Sequence, residues 1–252
     1  MFGIRLAVHF SFLLLLAYVA WEGWMDAGWL GVAWSVAFIL LLFTCVVLHE
    51  LGHSLTARRF GIGVPRILLL PIGGMAEFDS IPRQPRRELL ITLAGPAVNF
   101  VIALVLWPFV TMPASWADGD VPLTFAGLGW QLLLVNLVMG GFNLLPVFPM
   151  DGGRILRALL ALRWPYLKAT FWAASLGKVL AVFGATFMIL ELHNYLGALL
   201  FSFIFVAGDI EYRAVRRREE ENVQWELLIR RLYGKPDGDG RPAPVNILHG
   251  PN

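Results

Sequence analysis

Two histidines and a glutamate, His49-Glu50-Leu51-Gly52-His53, close an apolar run that extends without interruption from Trp29 to Leu48. On a helix, positions i and i+4 share a face, so both imidazoles can reach one Zn²⁺ while Glu50, beside the first, acts on the attacking water as general base. Ionisable groups are costly at membrane depth unless they face a metal or a wet cavity, so this placement favours a site over a chance pair.

A second polar stretch, Asn143-Leu144-Leu145-Pro146-Val147-Phe148-Pro149-Met150-Asp151-Gly152-Gly153-Arg154, also follows an apolar run. Its two prolines remove backbone donors and clash with preceding carbonyls, so the helix that enters it must end or unwind. Irregular backbone at that depth is tolerated only where it lines a wet cavity or is buried in protein. Asp151 can be an N-cap of the helix opened by Gly152-Gly153, or a third zinc ligand. A histidine pair on another helix favours the ligand, because catalytic zinc holds three protein ligands and leaves one position open.

The elements that must position these residues follow from composition. The 252 residues are 58% hydrophobic and 15% charged, with a mean hydropathy of +0.66, which excludes an ordinary soluble domain and predicts a polytopic membrane protein. The fold class expected is all-α, with about six transmembrane helices over residues 6–24, 29–57, 88–110, 123–145, 171–190 and 193–208. The fourth helix has an unwound end. The last two are expected to form a hairpin about Glu191 to Asn194. Cys45 lies within a span and offers neither a disulfide nor a thiolate site. The first apolar stretch shows no cleavage site and reads as a retained span.

Charge placement predicts the orientation. Arg5, Arg58, Arg59, Arg66, Arg83, Arg86, Arg87, Arg154, Arg157, Arg163, Lys168, Arg213 and Arg216 to Arg218 all fall on one side. The opposite loops carry Asp26, Asp118, Asp120 and Glu191 and no Lys or Arg. Both termini and the active site are thus expected on the cytoplasmic side, with Trp21, Trp24, Trp29, Trp107 and Trp116 near the outer interface. Descending about 1.5 Å per residue from Trp29 brings His49 close to the inner boundary, and Asn143 reaches a similar level from Leu123.

Residues 66–78 are apolar, too short to span, and broken by Pro71, Gly73 and Gly74. They read either as a hairpin or re-entrant strand whose edge holds an extended substrate at Gly73 and Gly74, or as a surface loop that closes the bundle. Residues 1–210 form the expected core. Residues 211–252 form a cytoplasmic tail, with a short amphipathic helix over Val223 to Tyr233 and disorder after Pro236. His9, His193 and His249 lack ligand spacing, and Asn99 is read as an interhelical hydrogen bond.

At its two motifs the chain resembles the site-2 protease family of intramembrane zinc peptidases. The matching residues are His49-Glu50-Leu51-Gly52-His53 and Asn143, Pro146, Pro149, Asp151 and Gly152, supported by Ala94-Gly95-Pro96-Ala97-Val98-Asn99. The resemblance implies one Zn²⁺ per chain held by His49, His53 and Asp151, with Glu50 as base and Asn143 holding substrate or the reacting carbonyl oxygen. It implies single-span membrane proteins as substrates, a prokaryotic cell membrane as location, the lipid bilayer as surroundings, and no nucleic-acid partner. The form expected is compact, without PDZ or CBS domains. A metal transporter or an inactive scaffold of related architecture are the rival readings. A transporter is disfavoured by the lack of visible repeats, and a scaffold by the presence of every motif residue.

Overall fold

A computed structural model describes residues 4–71, 73–77, 84–110, 112 and 123–233. Strand β1 (Arg5–Val8) leads into the 50-residue helix α1 (Phe10–Arg59), followed by β2 (Arg66–Leu70) and β3 (Gly73–Glu77). Helices α2 (Pro85–Leu106), α3 (Phe125–Asn143), α4 (Asp151–Ala161), α5 (Tyr166–Leu190) and α6 (Tyr195–Tyr233) complete the order. Asp118, Asp120 and Trp116 of the loop expected on the outer side, Arg83, His249 and the tail beyond Tyr233 lie outside the described residues.

Helix α1 is two helices in one. Ala27 and Gly28 leave the helical region, with Gly28 at φ +59°, and the chain reverses there. The reversal brings Phe12 against Phe43, ring centroids 4.6 Å apart, and sets Gly23 against Gly31 so closely that a Cβ at Gly23 would lie 2.6 Å from the Gly31 carbonyl oxygen. Lipid supplies no hydrophobic drive between helices, so small residues at a crossing let van der Waals contact do the work. Among the described residues five helices are long and apolar enough to cross a membrane, and α1, folded on itself, supplies two of the six passes expected.

Both arms of α1 therefore return to one end of the bundle, where a three-stranded sheet ties them together. β1, before the first arm, pairs in parallel with β2, after the second, in the register Arg5 to Arg66 through Val8 to Leu69. β2 and β3 form an antiparallel hairpin from Arg66 opposite Glu77 to Leu70 opposite Gly73. Of the two readings of residues 66–78, the hairpin is the one found, and β3 is an edge of the sheet. Arg66 donates to Glu77 through Nε and Nη2, both at 2.7 Å, and its guanidinium holds the Glu77 carboxyl below the usual carboxylate range. The sheet adds to the all-α bundle an element that the sequence showed only in part. Residues 6–8, taken as the start of the first span, are strand, and His9 caps α1 by accepting from the Ser11 amide at 3.2 Å.

The far half of the bundle is held by a stripe of small residues. Ala169, Ala173, Gly177 and Ala181 recur every four residues on the buried face of α5, where α6 and the segment after α3 pack. Val147 and Phe148 are buried against this stripe, so the unwound stretch of residues 144–150 is anchored by packing. α6 runs unbroken past the expected end of its span. Residues 209–233 contain no Gly or Pro, and i,i+4 ion pairs such as Asp209 to Arg213 and Arg216 to Glu220 support the helix outside the apolar part.

Candidate metal centre

His49 and His53 project from one face of the second arm of α1, their rings 4.7 Å apart at 84°. Asp151, the first residue of α4, brings Oδ2 to 3.3 Å from His49 Nε2 and 3.1 Å from His53 Nε2. All three are buried, and their ligand atoms lie within 4.8 Å of one another. The N-cap of α4 is Met150, with no side-chain cap bond, so the aspartate side chain is not spent on its own helix.

Hydrogen bonds on the far side of each imidazole set the tautomers. His53 Nδ1 lies 2.8 Å from the Ile91 carbonyl oxygen, which can only accept, so the proton sits on Nδ1 and Nε2 presents a lone pair. His49 Nδ1 lies 2.6 Å from Asn99 Oδ1. Asn99 is oriented in turn by donating through Nδ2 to Asn136 Oδ1 at 2.9 Å, and Asn136 donates to the Leu132 carbonyl at 2.8 Å and to Cys45 Sγ at 3.3 Å. With both protons on Nδ1, the two Nε2 atoms, 3.1 Å apart, and a carboxylate oxygen that accepts no hydrogen bond converge on one point. Three lone-pair donors at that separation repel one another unless a cation lies among them. Two imidazoles, each supported from behind, and one carboxylate match the donor set of a catalytic zinc site.

The backbone has been cleared to make this space. A Cβ on Gly95 of α2 would collide with Nε2 and Cε1 of His53 and lie 2.8 Å from His49 Nε2. One on Gly52 would lie 2.6 Å from the Ala94 carbonyl oxygen. Helices α1 and α2 can cross at the histidine pair only with glycine at both positions. Gly153 plays the same part at the unwound stretch, where a Cβ would stand 2.7 Å from the Phe148 amide nitrogen.

A cavity of about 250 Å³ opens beside the three ligand atoms. Glu50 and Asn143 line it together with His49, His53 and Asp151. Asn143 ends α3 and donates through Nδ2 to the Met139 carbonyl at 3.0 Å, which leaves its Oδ1 and second N–H available. On the β3 side Gly74 sits against Glu50: a Cβ there would be 2.7 Å from Glu50 Cγ. Gly73 adopts φ +139°, which L side chains rarely take. All seven residues singled out from the sequence are thus gathered at or beside one cavity, with Gly73 at its margin.

Sequence reasoning missed Asn136, Glu88 and Arg157 and read Asn99 only in part. Asn136 was passed over, and Asn99, read as an interhelical contact, is one whose partner is a candidate ligand. Glu88 and Arg157, both buried, form an ion pair on the cavity wall. Each is a polar residue in or beside an apolar helix, and that cost in lipid was the available signal. Its direction was not readable without the helix phases. His9 and His193, at a helix cap and in the turn between α5 and α6, take no part.

The chain matches peptidase family M50 over residues 37–115 and 123–184, a range that includes the histidine pair, Asn99, Asn143 and Asp151. It belongs to that family. It is 42% identical over 213 residues to the zinc metalloprotease MJ0392 of Methanocaldococcus jannaschii, covering 84% of this chain and 59% of that protein. It is 32% identical to the Rip3 protein of Mycobacterium tuberculosis over 71% of this chain and 47% of the relative. The chain therefore spans between about half and three fifths of the length of these two relatives. A solved site-2 protease from Methanocaldococcus jannaschii superposes with a TM-score of 0.58 at 39% identity, over 84% of this chain and 92% of that one. The family, the donor set and the apolar helices together make this an integral membrane protein with a zinc site.

Proposed function

We propose that the protein is a zinc-dependent endopeptidase that cleaves transmembrane segments of single-span membrane proteins within the bilayer. The observation that carries this reading is the convergence of His49, His53 and Asp151 on one point beside a cavity that also holds Glu50, inside a bundle of membrane-crossing helices. The zinc, when bound, supplies Lewis acidity that activates water and polarises the scissile carbonyl. His49, His53 and Asp151 hold it, and their outer partners fix ring orientation and basicity.

Glu50 is the general base: it takes the proton of the attacking water and hands it to the leaving amine. The packing of Gly74 of β3 against Glu50 supports a role for that strand in binding substrate. An extended segment that adds to the exposed edge of β3 lies beside Glu50 with its peptide bonds unwound from helix, and glycine at Gly73 and Gly74 leaves room for the second backbone. Asn143, on the cavity wall, orients the scissile carbonyl through its amide. The cytoplasmic side is the natural source of water, because the basic loops cluster at the end that carries the site, and both termini are assigned to that side.

A variant of one atom tests the reading. Glu50→Gln keeps shape and hydrogen-bonding capacity but cannot take a proton. Purified in detergent or liposomes with a single-span substrate, it is expected to retain zinc and lose cleavage by several orders of magnitude. Turnover close to wild type, with contaminating wild-type enzyme excluded, would rule out Glu50 as the base; a transporter or a scaffold would show no Glu50-dependent hydrolysis at all.

A further inference from the structure

Asp151 is carried on α4 and the histidine pair on α1, and both helices pack against α2. The separation of the third ligand from the other two is therefore set largely across the α2 and α4 interface. One buried polar contact spans that interface. Arg157 donates to Glu88 Oε1 through Nε at 2.8 Å and Nη2 at 2.5 Å, with Arg157 1% and Glu88 3% exposed. We propose that Arg157 is the positioning residue for the metal ligand Asp151, acting through Glu88; the proposal rests on the metal-site reading above.

Three features give the contact this role. Glu88 lies one helical turn before Ile91, whose carbonyl receives the His53 proton, so the arginine is anchored on the stretch of α2 that orients a histidine. The guanidinium also covers the Phe148 ring at 5.3 Å, and Phe148 precedes Asp151 by three residues. Arg157 thus grips the chain on both sides of the ligand, through its own helix and through the unwound stretch. Its remaining contacts reach the rest of the bundle: Nη1 donates to Glu211 of α6 at 2.6 Å, and Tyr166 of α5, 5.1 Å beneath the guanidinium, donates to Glu88 at 3.3 Å. A planar fork of five donors suits such a node, and lysine, a point charge on a flexible stem, does not reproduce it.

A bolt that only holds the fold together and one that places Asp151 differ in a measurable way. Zinc affinity is measured by competition with a chelating dye for the full chain in detergent, for wild type, Arg157→Gln, Glu88→Gln, Asp151→Ala and the combination of Arg157→Gln with Asp151→Ala. Arg157→Gln and Glu88→Gln are each expected to weaken zinc by about ten- to a hundredfold, the size of an outer-shell loss. In the Asp151→Ala background the same arginine change should cost less than about twofold, because the ligand it positions is gone. Unchanged affinity in Arg157→Gln overturns the proposal, and so does an equal loss in the two backgrounds. If Arg157→Gln cannot be purified folded, Arg157→Lys and Glu88→Gln enter the same cycle with the same two outcomes. His53→Ala, measured alongside, separates the failures. A wild type that binds zinc no more tightly than His53→Ala removes the metal reading and the proposal with it. Tight wild-type binding with an indifferent arginine removes the proposal alone.

Discussion

His49 Nδ1 stands 2.6 Å from Asn99 Oδ1, and this contact across α1 and α2 decides which nitrogen of the imidazole faces the site. Asn99→Ala should leave a buried N–H unpaired, release Asn136, and allow the ring to change tautomer. Zinc affinity is expected to fall about ten- to a hundredfold while all three ligands remain. Chelator competition on the purified variant measures this, and an unaltered affinity would show that Asn99 only packs.

Gly95→Ala is a sharper probe, because the added methyl would occupy the space between the histidine rings. Zinc content of the purified protein is expected to drop to near zero. Gly141→Ala is the control, since a Cβ there meets nothing within 4 Å. A Gly95→Ala protein that keeps stoichiometric zinc would mean the rings can move aside and the crossing is looser than it stands.

The ligands themselves should differ in weight. His49→Ala and His53→Ala are expected to lose zinc outright, whereas Asp151→Ala should bind it more weakly through the remaining pair. Removal of zinc from wild type with phenanthroline should abolish cleavage, and added zinc should restore it. Full occupancy in His53→Ala, read by elemental analysis, would contradict the assignment.

For the β3 edge, Gly74→Val tests substrate binding apart from metal binding. The branched side chain would press on Glu50 Cγ and on the strand's open edge. Zinc should be kept, and kcat/KM on a transmembrane substrate should fall by about a hundredfold, an effect in the range that misplacement near the chemistry produces. A loss of zinc equal to the loss of turnover would assign the edge a structural role only.

Orientation can be read with membrane-impermeant thiol reagents. Cys45 is buried, so single cysteines placed at Glu191 and at Arg59 report on the two ends of the bundle. Glu191→Cys should label from outside the cell and Arg59→Cys only after the membrane is opened. The reverse pattern would invert the topology assigned from the basic loops.

The motifs were legible because their chemistry is local. The spacing of His49 and His53 needs only a helix, and Pro146 and Pro149 break the next one wherever they occur. The spans followed from hydropathy, although the boundaries of α5 and α6 moved once helix continued through charged residues such as Lys168 and Glu211. What was not legible is non-local. β1 has four residues and no alternation to distinguish it from the span it precedes, and its partner is 61 residues away. The link from His49 through Asn99 and Asn136 to Cys45 joins three helices, and a single chain read in order gives no phase between them.

The parallel pairing of β1 with β2 closes a ring in the chain: a turn at Gly28 joins the arms of α1 at one end and the sheet joins them at the other. That ring has an order of assembly. β1 can find its partner only after the chain has been made through Leu69, with both arms of α1 between the two strands. The edge strand beside Glu50 pairs with β2, and β2 with β1, so four residues ahead of the first arm, far from any chemistry in sequence, close the opposite border of the sheet on which the edge depends.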